Sequence, residues 1–299
     1  MKKRMGKGKW GLIFVLAIMT IAVLDPGCRK RSKAGEETPS GQVREQPEAI
    51  DVQKEKMPVL GLMVNRLGEI DTYQGWPVLM ELELRHPKLF LRDEKVEPMV
   101  IASRGDSWAQ AITLAVKNSK DQVVNFLFKL KPLAEAALTL DAEKMWSLSW
   151  WLAGEDTKTI PEGDYRIIAR LDTTGVKKPG IWLGKVSSKP VMLHLSKEPS
   201  PLSEEQAEEK QVLLAACAKA SGDRAKAMGY INTLLGTRPE SLQGLALKAG
   251  LLEEAGDKMA AMKTYEKAIT IFGRKYPKAD PPYELWDEYN RLVTEILKK

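Results

Sequence analysis

The sequence predicts two folded regions, an all-β antiparallel sandwich followed by an all-α helical domain. Between residues 57 and 198, apolar side chains recur at every second position, which is typical of strands that bury one face. Between residues 203 and 299, they recur at helical spacing, and a short segment is repeated after 34 residues. A chain of 299 residues fits about two domains.

The N-terminal segment, residues 1–28, predicts export. Residues 2–9 are basic, and residues 10–24 form an apolar run that is shorter than the roughly 20 residues a spanning helix needs. The pair Gly27-Cys28 resembles the end of a bacterial lipoprotein signal, which implies a lipid on Cys28. An uncleaved N-terminal anchor and ordinary signal cleavage remain alternatives, because Asp25 and Pro26 depart from the lipoprotein pattern.

Residues 29–56 predict a disordered, charged linker. They are rich in Lys, Glu, Gln and Pro and hold almost no large apolar groups, so they cannot bury a core.

The charge balance excludes nucleic acid as a partner. Residues 1–33 carry a net +8 while the whole chain carries +6, which leaves −2 for the rest, and a nucleic-acid binder carries its positive charge on the folded part. The expected location is the periplasm or the cell surface, with the membrane bound through the N-terminus.

Strands in the middle region are predicted by alternation. Seven to nine strands separated by turn residues over residues 57–198 favour an antiparallel sandwich. The segment between Lys131 and Lys144 breaks the alternation and predicts a long loop or a short helix. The clearest predicted strands are Val78–Leu84, Ile112–Val116, Val124–Leu130, Trp146–Leu152, Tyr165–Leu171 and Val191–Leu195.

The segment from Ile160 to Ile167 carries a second resemblance. It resembles a turn-and-strand signature common in immunoglobulin-like domains of extracytoplasmic bacterial proteins. A Pro-x-Gly turn before an alternating strand is also ordinary hairpin chemistry. The boundary to the helices lies at Pro199 and Pro201, after which Ser203 and Gln206 form a capping-box pattern at the start of the first helix.

A repeat organises the helical region. Gly222–Met228 matches Gly256–Met262 at a spacing of 34 residues. Each glycine predicts the end of one helix, and the aspartate after it, Asp223 or Asp257, predicts the cap of the next. A period of 34 residues with two helices per unit resembles the tetratricopeptide family, which implies paired helices and protein binding.

The first repeat departs from that family's pattern. Gln211 and Ala218 stand where large apolar groups are usual, Leu234 stands where a small one is usual, and Gly273 replaces a closing proline. An unrelated pair of helical hairpins is therefore the alternative.

The last helix is predicted from Asp280, as its cap, to Lys298. Its apolar stripe is expected to cover the end of the repeat array. The alternative is that Trp286 and Tyr289 form a ligand-binding patch. The stripe consists of Leu285, Trp286, Tyr289, Leu292, Val293 and Ile296.

No catalytic or metal-binding pattern is present in the sequence, so we expect no enzyme, no cofactor and no metal site. Phosphate loops, nucleophile elbows and metal-binding histidine pairs are missing. His86 and His194 are expected to be solvated, and Cys217, which lies among alanines, is expected to pack. Two cysteines exclude a disulfide framework.

The tetratricopeptide resemblance implies a groove lined by the first helix of each repeat. The groove implies an adaptor that binds an envelope or secreted protein, although the Lys/Asn clamp for C-terminal carboxylates is missing. The alternative function is carbohydrate binding or adhesion through the sandwich, where alternation places Trp151 on the outer face. The groove residues are Glu209, Val212, Ala216, Lys219, Gln243, Ala246, Gly250, Glu253 and Glu254.

Overall fold

A computed structural model describes residues 57–89 and 96–298, which belong to one compact unit extending from Met57 to Lys299. A β-rich region precedes a helical region, as the sequence predicts. The predicted signal, Cys28 and the linker lie outside the described residues. Within the described ranges, no helix is both long and apolar enough to cross a membrane.

The β-rich region holds twelve strands in the described part of the chain, together with a 3-10 helix at Trp108–Ala111 and a short helix, α1, at Gly154–Lys158. The strands are β1 (Val59–Val64), β2 (Glu69–Tyr73), β3 (Val78–Arg85), β4 (Met99–Ala102), β5 (Ile112–Asn118), β6 (Val123–Val124), β7 (Lys129–Leu130), β8 (Ala137–Leu140), β9 (Trp146–Leu152), β10 (Gly163–Asp172), β11 (Lys185–Ser187) and β12 (Val191–Ser196).

These strands form a four-stranded sheet in the order β1-β3-β9-β7 and a six-stranded sheet in the order β2-β12-β10-β5-β6, with β11 beside β10. A third, two-stranded sheet joins β4 and β8. The prediction of a purely antiparallel arrangement is wrong at one pair, since β2 runs parallel to β12, with Ile70 opposite Leu193. Because more than a hundred residues separate the two strands, no tight turn fixes their relative direction.

The two larger sheets share one apolar core. Leu82 of β3 and Leu148 of β9 lie in it with Ile167 of β10 and Leu193 of β12, and all four side chains are buried. From Met80 to Arg85 in β3 and from Asp164 to Asp172 in β10, buried positions alternate with more exposed ones, so the period-2 pattern correctly identified these two strands and their inward faces.

Two sequence predictions in this region are wrong. The predicted strand Val124–Leu130 is two short strands, β6 in the six-stranded sheet and β7 in the four-stranded sheet, with buried Phe126 between them. The segment expected to be a loop or short helix contains β8, whose Leu138 and Leu140 are buried against β4. Both errors concern strands of two to four residues, which are too short for alternation to locate.

Five helices make up the helical region: α2 (Glu204–Ala220), α3 (Arg224–Thr237), α4 (Leu242–Glu254), α5 (Lys258–Lys275) and α6 (Tyr283–Leu297). Their starts follow local chemistry. Ser203 and Gln206 form the predicted capping box, and the side chains of Asp223 and Asp257 accept hydrogen bonds from Lys226 N and Ala260 N.

The repeated glycines have the predicted role. Gly222 and Gly256 have φ of +85° and +88°, the left-handed region that glycine adopts without steric cost. The small residues Ala227, Ala249 and Ala261 are fully buried, which lets successive helices approach closely. Each of α3, α4, α5 and α6 packs against the helix before it.

The last helix differs from its prediction. Its N-cap is Pro282, not Asp280, and the helix ends at Leu297. Leu285 and Leu292 are buried as expected, but Trp286 is 47% exposed and does not belong to the core.

Candidate functional site

Helix α2 uses three separate faces. One face packs against α3, where Ala215 and Ala218 join buried Ala227 and Ile231. A second face meets the β-rich region, because α2 packs against β3 and β9. The third face carries four of the predicted groove residues, which share one side of the helix at a spacing of three and four residues. These are Glu209, Val212, Ala216 and Lys219, all half-buried.

Polar contacts fix the second face of α2 to the β-rich region. Gln206 Nε2 donates to Tyr73 Oη at 2.8 Å, and Lys210 Nζ lies 2.6 Å from Glu198 Oε1. The same Glu198 oxygen accepts from Trp76 Nε1 at 3.0 Å. The Lys210 ammonium lowers the pKa of Glu198 below its ordinary value. The β-rich region therefore occupies the side of α2 where a preceding helical hairpin would stack.

Helix α4 continues the groove of α2. Lys219 of α2 reaches across to Glu254 of α4, with Nζ and Oε1 3.0 Å apart. Gly250 provides the room, because a Cβ at this position would lie 3.3 Å from Lys219 Nζ and 3.8 Å from Tyr265 Oη. The structure thus brings the predicted residues of both helices together on one surface, with Gln243 and Ala246 half-buried in the same row.

Arg291 of α6 extends this surface to a third helix. Its guanidinium lies 2.6 Å from Glu253 of α4 and 2.9 Å from Glu295, and it also contacts Glu288. These carboxylates raise the pKa of Arg291 above its ordinary value. Sequence reasoning missed Arg291, although acids three residues before it and four after it on one helix are a recognisable signal.

Glu209 is the groove residue with an unusual environment. Its half-buried carboxylate has no hydrogen bond or ion pair within residues 57–89 and 96–298, and burial raises its pKa above the ordinary value. A desolvated carboxylate of this kind is stabilised by any cationic or N–H group that reaches it. A cationic or N–H group placed beside Glu209 would therefore stabilise its ionised form.

The histidines and the cysteine of the described residues lie in different elements: His86 follows β3, His194 is in β12 and Cys217 is in α2. His86 is a correction, because it is 3% exposed rather than solvated, and its Nδ1 accepts from Lys88 N at 3.1 Å at the end of β3. Desolvation lowers the pKa of His86. Cys217 packs as predicted, and burial raises its pKa to about 12. No group of His, Cys, Asp and Glu in the described ranges is arranged to hold a metal ion.

His194 lies on the outer surface of the six-stranded sheet between two carboxylates. Its Nδ1 is 2.7 Å from Asp164 and its Nε2 is 2.9 Å from Glu69. The hydrogen bond to Asp164 is the largest cause that raises the pKa of His194, followed by the hydrogen bond to Glu69, and the charge of Asp71 adds to the effect. The interactions of His194 with these carboxylates therefore make a small pH-dependent contribution to the stability of the fold.

We expect that contribution to be present at low pH and lost at high pH. A pKa that is higher in the folded than in the unfolded chain stabilises the fold below about pH 6.5, and the effect disappears as pH rises through the folded value. Because the carboxylates are exposed, the effect should be at most about 1 kcal/mol. Urea denaturation of the parent and His194→Gln should differ at pH 5.5 and coincide near pH 8.5. Equal differences at both pH values would contradict the assignment.

Trp151 is half-buried rather than free on the surface. It pairs in register with Leu79 on β3 and with Lys129 on β7. Leu79 is 5% exposed although it alternates with core residues, and α2 packs against the two strands that carry Leu79 and Trp151. The outer face of the four-stranded sheet is therefore used partly for contact with the helices.

Comparisons with known proteins identify no family. No model of a known family and no curated protein matches the chain. A family 123 glycoside hydrolase from Clostridium perfringens matches 52% of this chain and 29% of its own, at 9% identity and a TM-score of 0.26. A PapD-like domain of human CEP192 matches 56% of this chain and 99% of its own, at 12% identity and a TM-score of 0.25. The BcpA major pilin subunit of Bacillus cereus matches 47% of this chain and 41% of its own, at 14% identity and a TM-score of 0.23. Scores this low support no conclusion about fold or function.

Proposed function

We propose that the protein is a non-catalytic adaptor of the bacterial envelope. It binds a segment of another exported protein in the groove along α2 and α4, and Arg291 of α6 continues that surface. The helices are tetratricopeptide-like hairpins, the β-rich region is an immunoglobulin-like sandwich, and the N-terminus tethers the chain through a lipid on Cys28. The carrying observation is the row of predicted groove residues that α2 and α4 bring together on one surface, joined by the Lys219–Glu254 ion pair.

The packing of the helices supports this proposal. Helix α4 packs against both α3 and α5, and α2 also contacts α4 directly. In such a stack the first helices of successive hairpins lie side by side and line one surface. The residues in the middle of that surface have small side chains or none, so a bound segment can approach the backbone there. They are Ala216, Ala246 and Gly250.

The charges of the groove indicate what fits it. The pairs Lys219–Glu254 and Arg291–Glu253 bridge neighbouring helices, so these charges are largely balanced within the protein. Of the three groove glutamates, Glu209 is the one without a hydrogen bond or ion pair to any described residue. The segment that fits best is therefore an extended peptide or a helix with small apolar groups for the middle of the groove and a Lys or Arg for Glu209.

The alternative, carbohydrate binding through the sandwich, depended on an exposed Trp151. The half-burial of Trp151 on strands that contact α2 removes that argument, and no described cluster of exposed aromatic rings on the sheets replaces it. We therefore retain the adaptor as the proposed function.

Site-specific crosslinking tests the groove. A photoreactive residue at Gln243 in the full-length chain, expressed in its own cells, is expected to capture a defined exported protein. The matched control is the same residue at Thr270, which is exposed on α5 outside the groove. The additional substitution Ala216→Arg places a long charged side chain in the groove and should abolish capture at Gln243, while circular dichroism shows an intact fold. Equal capture from both positions, or capture that Ala216→Arg does not affect, would contradict the proposal.

A further inference from the structure

Helix α6 has an apolar face that no described element covers. Tyr283 is 69% exposed, Trp286 is 47% exposed and Leu297 is 80% exposed. With Asn290 and half-buried Val293, they lie along one side of the helix at spacings of three and four residues. These five residues form what we call the α6 strip. Three of the eight large apolar side chains that are exposed in the described chain belong to it, so apolar exposure is concentrated there.

The position of the strip follows from a comparison of α6 with α4. Leu285 and Leu292 of α6, which are buried with residues of α5, stand 41 residues after Gly244 and Leu251 of α4. Leu251 is buried with residues of α2 and α3, so both helices use equivalent faces against the preceding hairpin.

The same spacing shows what the equivalent face of α4 packs against. It places Trp286 and Asn290 at the positions of Leu245 and Ala249, which α4 buries against α5, the second helix of its hairpin. The strip of α6 is thus equivalent to the face with which α4 packs against another helix.

The ends of α6 carry opposite charges. Glu284 and Asp287 lie in its first turns, and Lys298 is its C-cap residue. A second α6 packed antiparallel, with its two-fold axis near Asn290, brings Lys298 of each copy toward the first turn of the other. The two helix dipoles then also run in opposite directions, which is favourable. A parallel pair would place Glu284 and Asp287 against the same acids of the other copy.

Asn290 fits the centre of such a pair. A carboxamide both donates and accepts hydrogen bonds, so two Asn290 side chains can pair with each other across a two-fold axis. A polar residue at the centre of a helix–helix contact also fixes its register. The aromatic end of each strip, Tyr283 and Trp286, then faces the aliphatic end of the other, Val293 and Leu297.

We propose that two copies of this chain pair through their α6 strips, antiparallel around a two-fold axis at Asn290, so that each α6 covers the face of the other that corresponds to the α5-covered face of α4. The contact is isologous and closed, so it yields a dimer. A helix of 15 residues is about 22 Å long, and one pair buries less than the roughly 800 Å² per partner of a standard interface. We therefore expect reversible association. The predicted groove residues lie on α2 and α4, whereas the strip lies on α6.

Disulfide trapping of the purified full-length chain tests the proposal. In a Cys28→Ser, Cys217→Ala background, Asn290→Cys should form a disulfide-linked dimer at least about 10-fold faster than Thr270→Cys on α5, because pairing raises the local thiol concentration. Tyr283→Cys and Leu297→Cys should each link slowly when alone. A mixture of these two variants should form the mixed dimer rapidly, since antiparallel packing brings positions 283 and 297 together.

Trp286→Arg provides the second variant. Combined with Asn290→Cys, it should reduce trapping to the rate of Thr270→Cys, while circular dichroism and thermal melting show an intact fold. Trapping of Asn290→Cys no faster than the Thr270→Cys control would overturn the proposal. Rapid self-linkage of Tyr283→Cys would overturn the antiparallel arrangement, because it requires parallel helices. Persistence of trapping with Trp286→Arg would show that the strip is not the contact.

Discussion

Replacing Gly154 with alanine is expected to lower the free energy of unfolding by about 2–3 kcal/mol, because overpacking against backbone cannot be relieved by a change of rotamer. A Cβ at position 154 would lie 2.3 Å from the carbonyl oxygen of Gly75. The backbone at Gly75 cannot easily move, since its N–H donates to Thr157 Oγ1 at 3.1 Å and that hydroxyl donates to Trp76 O at 2.7 Å. Urea denaturation at neutral pH measures the change.

The matched control is Gly229→Ala in α3. An added Cβ there has nothing within 4 Å, and the residue is exposed within the helix. Alanine at such a site is expected to raise the free energy of unfolding by about 0.5–1 kcal/mol. Opposite signs for the two substitutions would support the close contact between Gly154 and Gly75. A loss of less than about 0.5 kcal/mol in Gly154→Ala, the size of an ordinary surface substitution, would contradict that contact.

This contact shows what the sequence alone could not predict. Gly75 and Gly154 are far apart in the chain and lie in no motif, and their approach depends on how the β2–β3 turn meets α1. The capping contacts of Ser203, Asp223 and Asp257 were predictable because each involves residues within three positions of one another. Local chemistry determines the ends of the helices, whereas the meeting of distant segments requires the folded structure.

The residues of the candidate site also fall into those that the sequence could place and those that it could not. The shared side on which the predicted groove residues of α2 and α4 lie could be predicted, because the 34-residue repeat places the two sets in register. The repeat does not locate Arg291, because the spacing from α4 to α6 is 41 residues rather than 34, and the only local signal was the pair of acids on its own helix. The same change of spacing explains why Trp286 was assigned to the core. Without the position of α5, the stripe of α6 does not show which apolar residues have a helix to pack against.

The substitutions Leu292→Ala and Leu297→Ala should distinguish the buried face of α6 from the strip by their effects on the free energy of unfolding. Leu292 is fully buried between α6 and α5, and removal of its side chain is expected to cost about 2–4 kcal/mol, the sum of the lost burial and the cavity that remains. Leu297, on the strip, is 80% exposed, and Leu297→Ala should change the free energy of unfolding by less than about 0.5 kcal/mol. Both values come from urea denaturation at low protein concentration, where association does not contribute.

The effects of the same two substitutions on dimerisation should be in the reverse order, with the larger effect from Leu297→Ala. Leu297→Ala removes an apolar group that the proposed pair covers, so sedimentation at increasing concentration should show weaker dimerisation although the fold is unchanged. Leu292→Ala keeps the strip intact and should dimerise like the parent under conditions in which it remains folded. A large loss of stability in Leu297→Ala at low concentration would mean that Leu297 packs within its own chain. The strip would then not be free for a second copy.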